Sequence, residues 1–127
     1  MKMDANARYA KTHEWARKEG TLIVVGITDH AQSSLGDIVF VDLPKAGTQF
    51  KAGAVFGAVE SVKTASDVYL PVSGTISAIN ESLSSAPETV NKDCYGEGWF
   101  VKVAPENTAE FDALLGAEDY EKNTAES

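Results

Sequence analysis

The sequence predicts a mainly β fold, a small barrel or sandwich with short peripheral helices. Two observations carry this expectation. Short apolar runs rich in β-branched residues are separated at regular intervals by turns containing glycine or proline, which suits packed short strands better than an α/β sheet. In addition, Leu43-Pro44-Lys45-Ala46-Gly47-Thr48 recurs as Leu70-Pro71-Val72-Ser73-Gly74-Thr75, an LPxxGT pattern offset by 27 residues. Each copy follows a β-like run and pairs a φ-restricted proline with a permissive glycine. The repeat predicts two similar half-sheets related by a pseudo-twofold axis, with a central hairpin exposed at one end. A chain of 127 residues, 43% apolar, can fill one compact core, so residues 1–127 are expected to form a single domain with short flexible terminal segments.

The elements follow in order. Residues 1–20 hold a mixed segment around Tyr9, His13 and Trp15, ending at Lys18-Glu19-Gly20. Thr21-Leu22-Ile23-Val24-Val25 is a strand by its β-branching. Residues 29–36 predict one or two helical turns, closed by Gly36 in the positive-φ region. Residues 37–43 form the next strand, with Val39, Val41 and Leu43 as the expected core face and Ile38, Phe40 and Asp42 opposite. Turns at Pro44 with Gly47, at Lys51-Ala52-Gly53, around Lys63, at Pro71 with Gly74 and at Asn80-Glu81 bracket strands over residues 54–59, 67–70 and 75–79. A looser passage spans 82–98, and Trp99-Phe100-Val101-Lys102-Val103 is the last strand. Asn107 and Glu110 then have capping-box spacing. Phe111, Leu114 and Leu115 share a helical face, Gly116 interrupts it, and Tyr120 extends the contact before a frayed, acidic tail.

Charge narrows the function. The formal net charge is -8, and from residue 105 onward Lys122 is the only base among seven acids. This disfavours nucleic acid and anionic membrane surfaces, which both require clustered positive charge. The acidic end suits docking onto basic protein surfaces, or simple maintenance of solubility. There is no transmembrane-length apolar run and no apolar stretch of the signal-peptide kind at the amino terminus. The lone Cys94 points to a reducing compartment. The expected location is the cytoplasm, or the mitochondrial matrix for a mature organellar chain.

The candidate chemistry centres on Lys63. A lysine is ordinarily a solvated surface group, but Glu60-Ser61-Val62-Lys63-Thr64-Ala65-Ser66-Asp67 places this amine on a constrained turn between two strands. A modifying enzyme can read such a shape, and acylation would turn the lysine into the root of a long arm. Catalytic signals are absent: neither histidine, His13 or His30, falls in a serine–histidine–acid pattern, Cys94 has no activating motif, and no phosphate-binding glycine signature occurs.

At these residues the chain resembles the H protein of the glycine cleavage system, over about residues 8–120. The resemblance rests on His13-Glu14-Trp15, Val25-Gly26-Ile27-Thr28-Asp29-His30-Ala31-Gln32 and Leu35-Gly36-Asp37-Ile38-Val39-Phe40-Val41. It continues through Glu60-Ser61-Val62-Lys63, Pro71-Val72-Ser73-Gly74 and Gly98-Trp99, and the order and spacing of the pieces are what make it specific. It implies a barrel-sandwich hybrid with a lipoyl-type core, and lipoic acid amide-linked to Lys63 as N6-lipoyllysine. Glu60, Ser61, Val62 and Thr64 would be the attachment-loop context. It further implies a carrier, not an enzyme. A pyridoxal-phosphate glycine decarboxylase would load the arm with an aminomethyl group, a tetrahydrofolate-dependent aminomethyltransferase would unload it, dihydrolipoyl dehydrogenase would reoxidise it, and a lipoyl-attaching enzyme would install it. Glu14 and Asp67 are candidate contacts for the loaded arm's ammonium, beside their plain readings as a solvated acid and a turn cap, and His30 is a third candidate. Two other classes stay open: a lipoylated scaffold for lipoyl relay, and an unmodified protein-binding β domain.

Two features stand apart. Cys94 occupies a position where the resembling family commonly has proline, which loosens a turn, leaves a surface thiol, or buries a structural cysteine. Met1-Lys2-Met3 echoes a biotinyl attachment motif but lacks a hairpin context.

Overall fold

The structure, a computed structural model, describes residues 2–126. Met1 of the Met1-Lys2-Met3 motif and Ser127 of the acidic tail lie outside the described residues. Nine strands form two sheets among these residues. The larger sheet has six: β1 (Arg8–Tyr9), β2 (Glu14–Glu19), β3 (Leu22–Ile27), β9 (Val101–Pro105), β8 (Gly74–Ile79) and β5 (Gln49–Phe50), in that spatial order. The smaller consists of β4 (Ile38–Asp42), β6 (Val55–Ser61) and β7 (Ala65–Tyr69), with β6 central. Five short helices lie at the periphery: α1 (Asp29–Leu35), α2 (Ser82–Ser85), α3 (Thr89–Lys92), α4 (Ala109–Asp112) and α5 (Ala117–Glu126). This is a mixed β sandwich with peripheral helices, as the turn spacing predicts.

The main core lies between the sheets, with Ile23, Val25, Leu70, Ile76, Phe100 and Val103 among its buried members. A second cluster of Tyr9, Trp15, Val24 and Tyr120 covers the other face of β2 and β3. Strand alternation explains the division, since Val24 and its neighbours Ile23 and Val25 point to opposite faces. Trp15 pairs with Gly26 across β2 and β3. The indole occupies the space a side chain would take, and a Cβ on Gly26 would lie 2.8 Å from three indole atoms. The indole Nε1 donates to the Cys94 carbonyl at 2.9 Å, tying the sheet to the passage after α3. Cys94 is itself buried, and burial pushes its thiol up to about 12, so the surface-thiol reading is set aside.

Several expectations are corrected. In residues 1–20, expected to be mixed, β1 and β2 form; Ala, Arg, Lys and Glu carry little β propensity, and long-range pairing with β3 overrides it. The expected core face of β4 holds at Val41 and Leu43, but a register shift between Ile38 and Phe40 buries Ile38 and leaves Val39 51% exposed. The passage 82–98 contains α2 and α3, each anchored by one buried residue, Leu83 and Val90. Only half of the capping box forms: Asn107 Oδ1 accepts from Glu110 N at 3.3 Å, while the Glu110 carboxylate accepts from Ser73 N and Ser73 Oγ. The tail beyond Tyr120, expected to be frayed, continues α5, while Tyr120 extends the contact as expected, 1% exposed and stacked on Tyr9 at 4.8 Å.

The two LPxxGT copies lie side by side. Gly47, at φ 93°, donates to Ile76 O, and Ile76 N donates to Thr48 O. β5 extends this pairing onto β8, an element too short to register as periodicity.

The Trp15 packing yields a stability prediction. Gly26→Ala must displace the indole and should lower stability by roughly 1–3 kcal/mol, as overpacking does. Gly116→Ala enters open space and should change stability by less than about 1 kcal/mol. Urea denaturation followed by tryptophan fluorescence checks both; equal midpoints for the two variants would contradict the packing described.

Candidate functional site

The hairpin joining β6 to β7 carries Lys63. The ladder runs to Glu60↔Ala65, and Ser61 N then donates to Thr64 O at 2.7 Å, closing a four-residue turn over residues 61–64. The Ser61 hydroxyl completes it, accepting from Lys63 N and Thr64 N at 3.1 Å each and donating to Thr64 O. Ser61 therefore builds the turn from a buried position, while Val62, at 68% exposure, stands in solvent. Val62 N donates to Asp37 O at 3.1 Å, fastening the hairpin tip to the turn before β4. Glu60 lies on the outer face of the small sheet, in a row with Phe40 and Ala65, and the Thr64 hydroxyl donates weakly to Ala65 O at 3.4 Å.

Lys63 is exposed, and its stem runs past Gly36. A Cβ built on Gly36 would lie 2.8 Å from Lys63 Cε and 3.4 Å from Nζ. Gly36 has φ 82° and ψ -153°, a backbone region essentially reserved for glycine. The missing side chain thus leaves a cradle that the lysine stem fills. Among the described residues, Lys63 Nζ enters no salt bridge or hydrogen bond, so a primary amine is presented on a rigid base. These features fit a lysine that carries a covalent acyl group.

A groove of about 180 Å³ begins beside this base, lined by Thr12, His13, His30, Ala31, Ser34, Leu35 and Ser66. Glu14 sits behind it, only 3% exposed. Its Oε2 accepts from Tyr69 N at 3.2 Å, and its Oε1 accepts from the Thr12 hydroxyl. Burial raises the Glu14 carboxyl from its ordinary 4.5 to about 7, against the opposing pull of these two hydrogen bonds. His13 adopts φ 77°, the one non-glycine residue at positive φ among those described. Its Nδ1 lies 2.6 Å from the Tyr120 hydroxyl, which also meets Thr28 Oγ1 at 2.8 Å. The His30 ring lies 4.5 Å from that of His13, and burial together with this neighbour holds His13 below the usual histidine range.

The structure thus gathers two of the three candidate contact residues. Glu14 reaches the groove through Thr12, and His30 lines it. Asp67 is exposed on the outer face of the small sheet, paired with Ala58, whereas its neighbour Ser66 faces the groove. Thr12, His13, Ser66 and Gly36 were not singled out as site residues by sequence reasoning. Of these Gly36 carried a signal as a helix-closing glycine, His13 stood in a motif of the resemblance, Ser66 lay in the turn segment around Lys63, and Thr12 carried none. Among the described residues no group of three or more His, Cys, Asp or Glu could hold a metal ion.

Glu14 should leave a pH signature. Its folded-state pKa is raised, so the folded chain holds a proton that the unfolded chain has already lost. The stability it contributes is present at low pH and is lost as pH rises from about 4.5 through about 7, by at most about 3 kcal/mol. His13 acts in the opposite sense, since a lowered histidine pKa makes stability fall as pH drops below 6.5. Comparing wild type with Glu14→Gln cancels the histidine contribution. Denaturation midpoints from pH 5 to pH 8 should show the variant gaining on wild type as pH rises, and parallel curves would refute the buried-acid account.

The chain is similar to known proteins over nearly its whole length. A family model described as Glycine cleavage H-protein matches residues 7–127. The glycine cleavage system H protein of Bacteroides fragilis is 53% identical over 120 residues, covering 94% of this chain and 95% of that one. The protein of the same name from Neisseria meningitidis serogroup A is 56% identical over 117 residues, with 91% of each chain covered. The crystal structure of a glycine cleavage system H protein from Mycobacterium marinum superposes with a TM-score of 0.89 at 36% identity, covering 97% of this chain and 99% of that one. With sequence and fold matched across nearly the whole length, the chain belongs to the glycine cleavage H-protein family.

Proposed function

We propose that Lys63 is the attachment point of lipoic acid, held as N6-lipoyllysine, and that the hairpin at residues 61–64 presents it to partner enzymes. Family membership makes the chain a lipoyl-carrying shuttle of the glycine cleavage system, a carrier and not a catalyst. The observation that supports Lys63 is the exposed amine on a turn locked by Ser61 and cradled by Gly36. In attachment, deprotonated Nζ adds to the carbonyl carbon of an activated lipoyl donor, an acyl adenylate or thioester. The new N–C bond forms, the donor's leaving group departs with its bonding pair, and nitrogen gives up one proton. Bound lipoate supplies a disulfide that opens and re-forms as a one-carbon unit passes between enzymes.

The chain's own residues then position that arm. Ser61 keeps the turn rigid, so the arm swings from a fixed root, and a tether raises local concentration only when root and reach suit each encounter. Glu14, through Thr12, and His30 are the contacts we assign to an arm folded into the groove. Asp67 is the contact for an arm lying over the outer face. The partners in this reading are the pyridoxal-phosphate glycine decarboxylase, the tetrahydrofolate-dependent aminomethyltransferase, dihydrolipoyl dehydrogenase and a lipoyl-attaching enzyme. The compartment is the cytoplasm, or the mitochondrial matrix for an organellar chain, and residues 1–127 act as one carrier domain.

Lys63→Arg is the decisive test. Arginine keeps the charge on an exposed tip and should leave the fold intact, yet it cannot form the lysyl amide. Incubated with a lipoylating enzyme, wild type should gain one lipoyl group, mapped to Lys63 by peptide mass. It should then support glycine-dependent carbon dioxide release with the decarboxylase, while the folded variant should do neither. Modification at another lysine, or normal turnover by the variant, would overturn the assignment.

A further inference from the structure

The cradle beneath Lys63 is held from below by a residue outside the groove. Asn91 lies on α3, whose Val90 is fully buried, and its side chain brackets the turn over residues 36–38. Asn91 Nδ2 donates to Gly36 O at 2.8 Å, and Asn91 Oδ1 accepts from Ile38 N at 2.9 Å. The same Nδ2 donates to Gln32 Oε1 at 2.9 Å, linking the bracket to α1. Gly36 N donates to Gln32 O at 3.0 Å, and Asp37 O accepts from Val62 N. Three consecutive residues are therefore pinned from α1, from α3 and from the hairpin tip itself.

This matters because Gly36 occupies a backbone region with no preference to return to if released. One amide side chain supplies both the donor for its carbonyl and the acceptor for the N–H two residues on. Gly36 also follows Leu35 directly, and Leu35 and Ser34 line the groove. A stem resting on Gly36 therefore lies against the end of α1, one residue from the groove lining.

We propose that Asn91 is a positioning residue for the arm. By fixing Gly36 as an open shelf, it sets the direction in which the Lys63 side chain leaves the hairpin. The role rests on Lys63 being the attachment point, but the shelf itself can be tested before any group is attached.

The experiment uses the full, unmodified chain with ¹³Cε-labelled lysine. In wild type, the Lys63 ε-methylene should show a nuclear Overhauser contact to Gly36 Hα and slower side-chain motion than the exposed Lys45. In Asn91→Asp, Oδ1 still accepts from Ile38 N, but an oxygen replaces the donor facing Gly36 O. The ratio of shelf-resting to released Lys63 conformers should fall by about fivefold, the factor for a hydrogen bond of about 1 kcal/mol, so the Overhauser contact should weaken and Lys63 motion approach that of Lys45. The amide shifts of residues 61–64 should stay in place. A purely structural Asn91 would alter the unfolding midpoint while leaving Lys63 order in the folded protein unchanged, and that result overturns the proposal. If the variant does not fold, the wild-type measurement still decides, since Lys63 as mobile as Lys45 with no contact to Gly36 would refute the shelf. Intact mass after lipoylation, run in parallel, reports separately on whether Lys63 is the modified residue.

Discussion

The open edge of β7 is the constraint around which the site is arranged. Among the described residues β7 pairs only with β6, so alternate backbone N–H groups on its other side need partners. The N–H of Tyr69 finds one in the carboxylate of Glu14, which reaches across from β2 in the larger sheet. One buried acid thereby joins the two sheets where main-chain pairing does not. The arrangement has a cost, since a carboxylate taken out of water favours its neutral form. That cost is visible in the raised Glu14 pKa, partly offset by hydrogen bonds from Thr12 and Tyr69.

Placing Glu14 there organises its neighbours in sequence. Trp15, the next residue, must point to the opposite face, and it does so over Gly26, where only a glycine leaves room for the indole. His13, the residue before, is turned to positive φ, a region that histidine tolerates better than bulky residues do. Its ring then faces Tyr120 and His30. α5 is held in place by this cluster: its composition is polar, and Tyr120 is its buried anchor, stacked on Tyr9 and hydrogen-bonded to Thr28. The carboxy-terminal helix thus backs His13, which lines the groove, so truncation after Gly116 would remove structure along with charge.

The hairpin shows how rigidity and reach are separated in a carrier. Backbone and Ser61 hydroxyl bonds fix the turn, Asp37 fastens its tip, and the lysine side chain beyond them has no polar partner among the described residues. The stem rests on Gly36 while its amine stays unpaired among the described residues, so a group attached there starts from a fixed root and keeps its own reach.

The sequence by itself determined what depends on near neighbours. Regular turn chemistry and β-branched runs marked β3, β6, β8 and β9 and hence the sandwich; Gly36 marked the end of α1, and the context Glu60-Ser61-Val62-Lys63 marked the tip. What only the tertiary structure decided depends on residues far apart in the chain. Glu14 meets Tyr69 across 55 positions, Ile38 meets Asn91 across 53, and His13 meets Tyr120 across 107. Periodicity carries no record of such pairings, so Glu14 read equally well as a solvated acid, and the tail beyond Tyr120 read as frayed. β2 was hidden for the same reason, because its residues become a strand only when β3 is present to pair with them. Local pattern selects the element and the exposed lysine; burial and long-range hydrogen bonding decide which acid is neutralised, which glycine supports the stem, and where the groove lies.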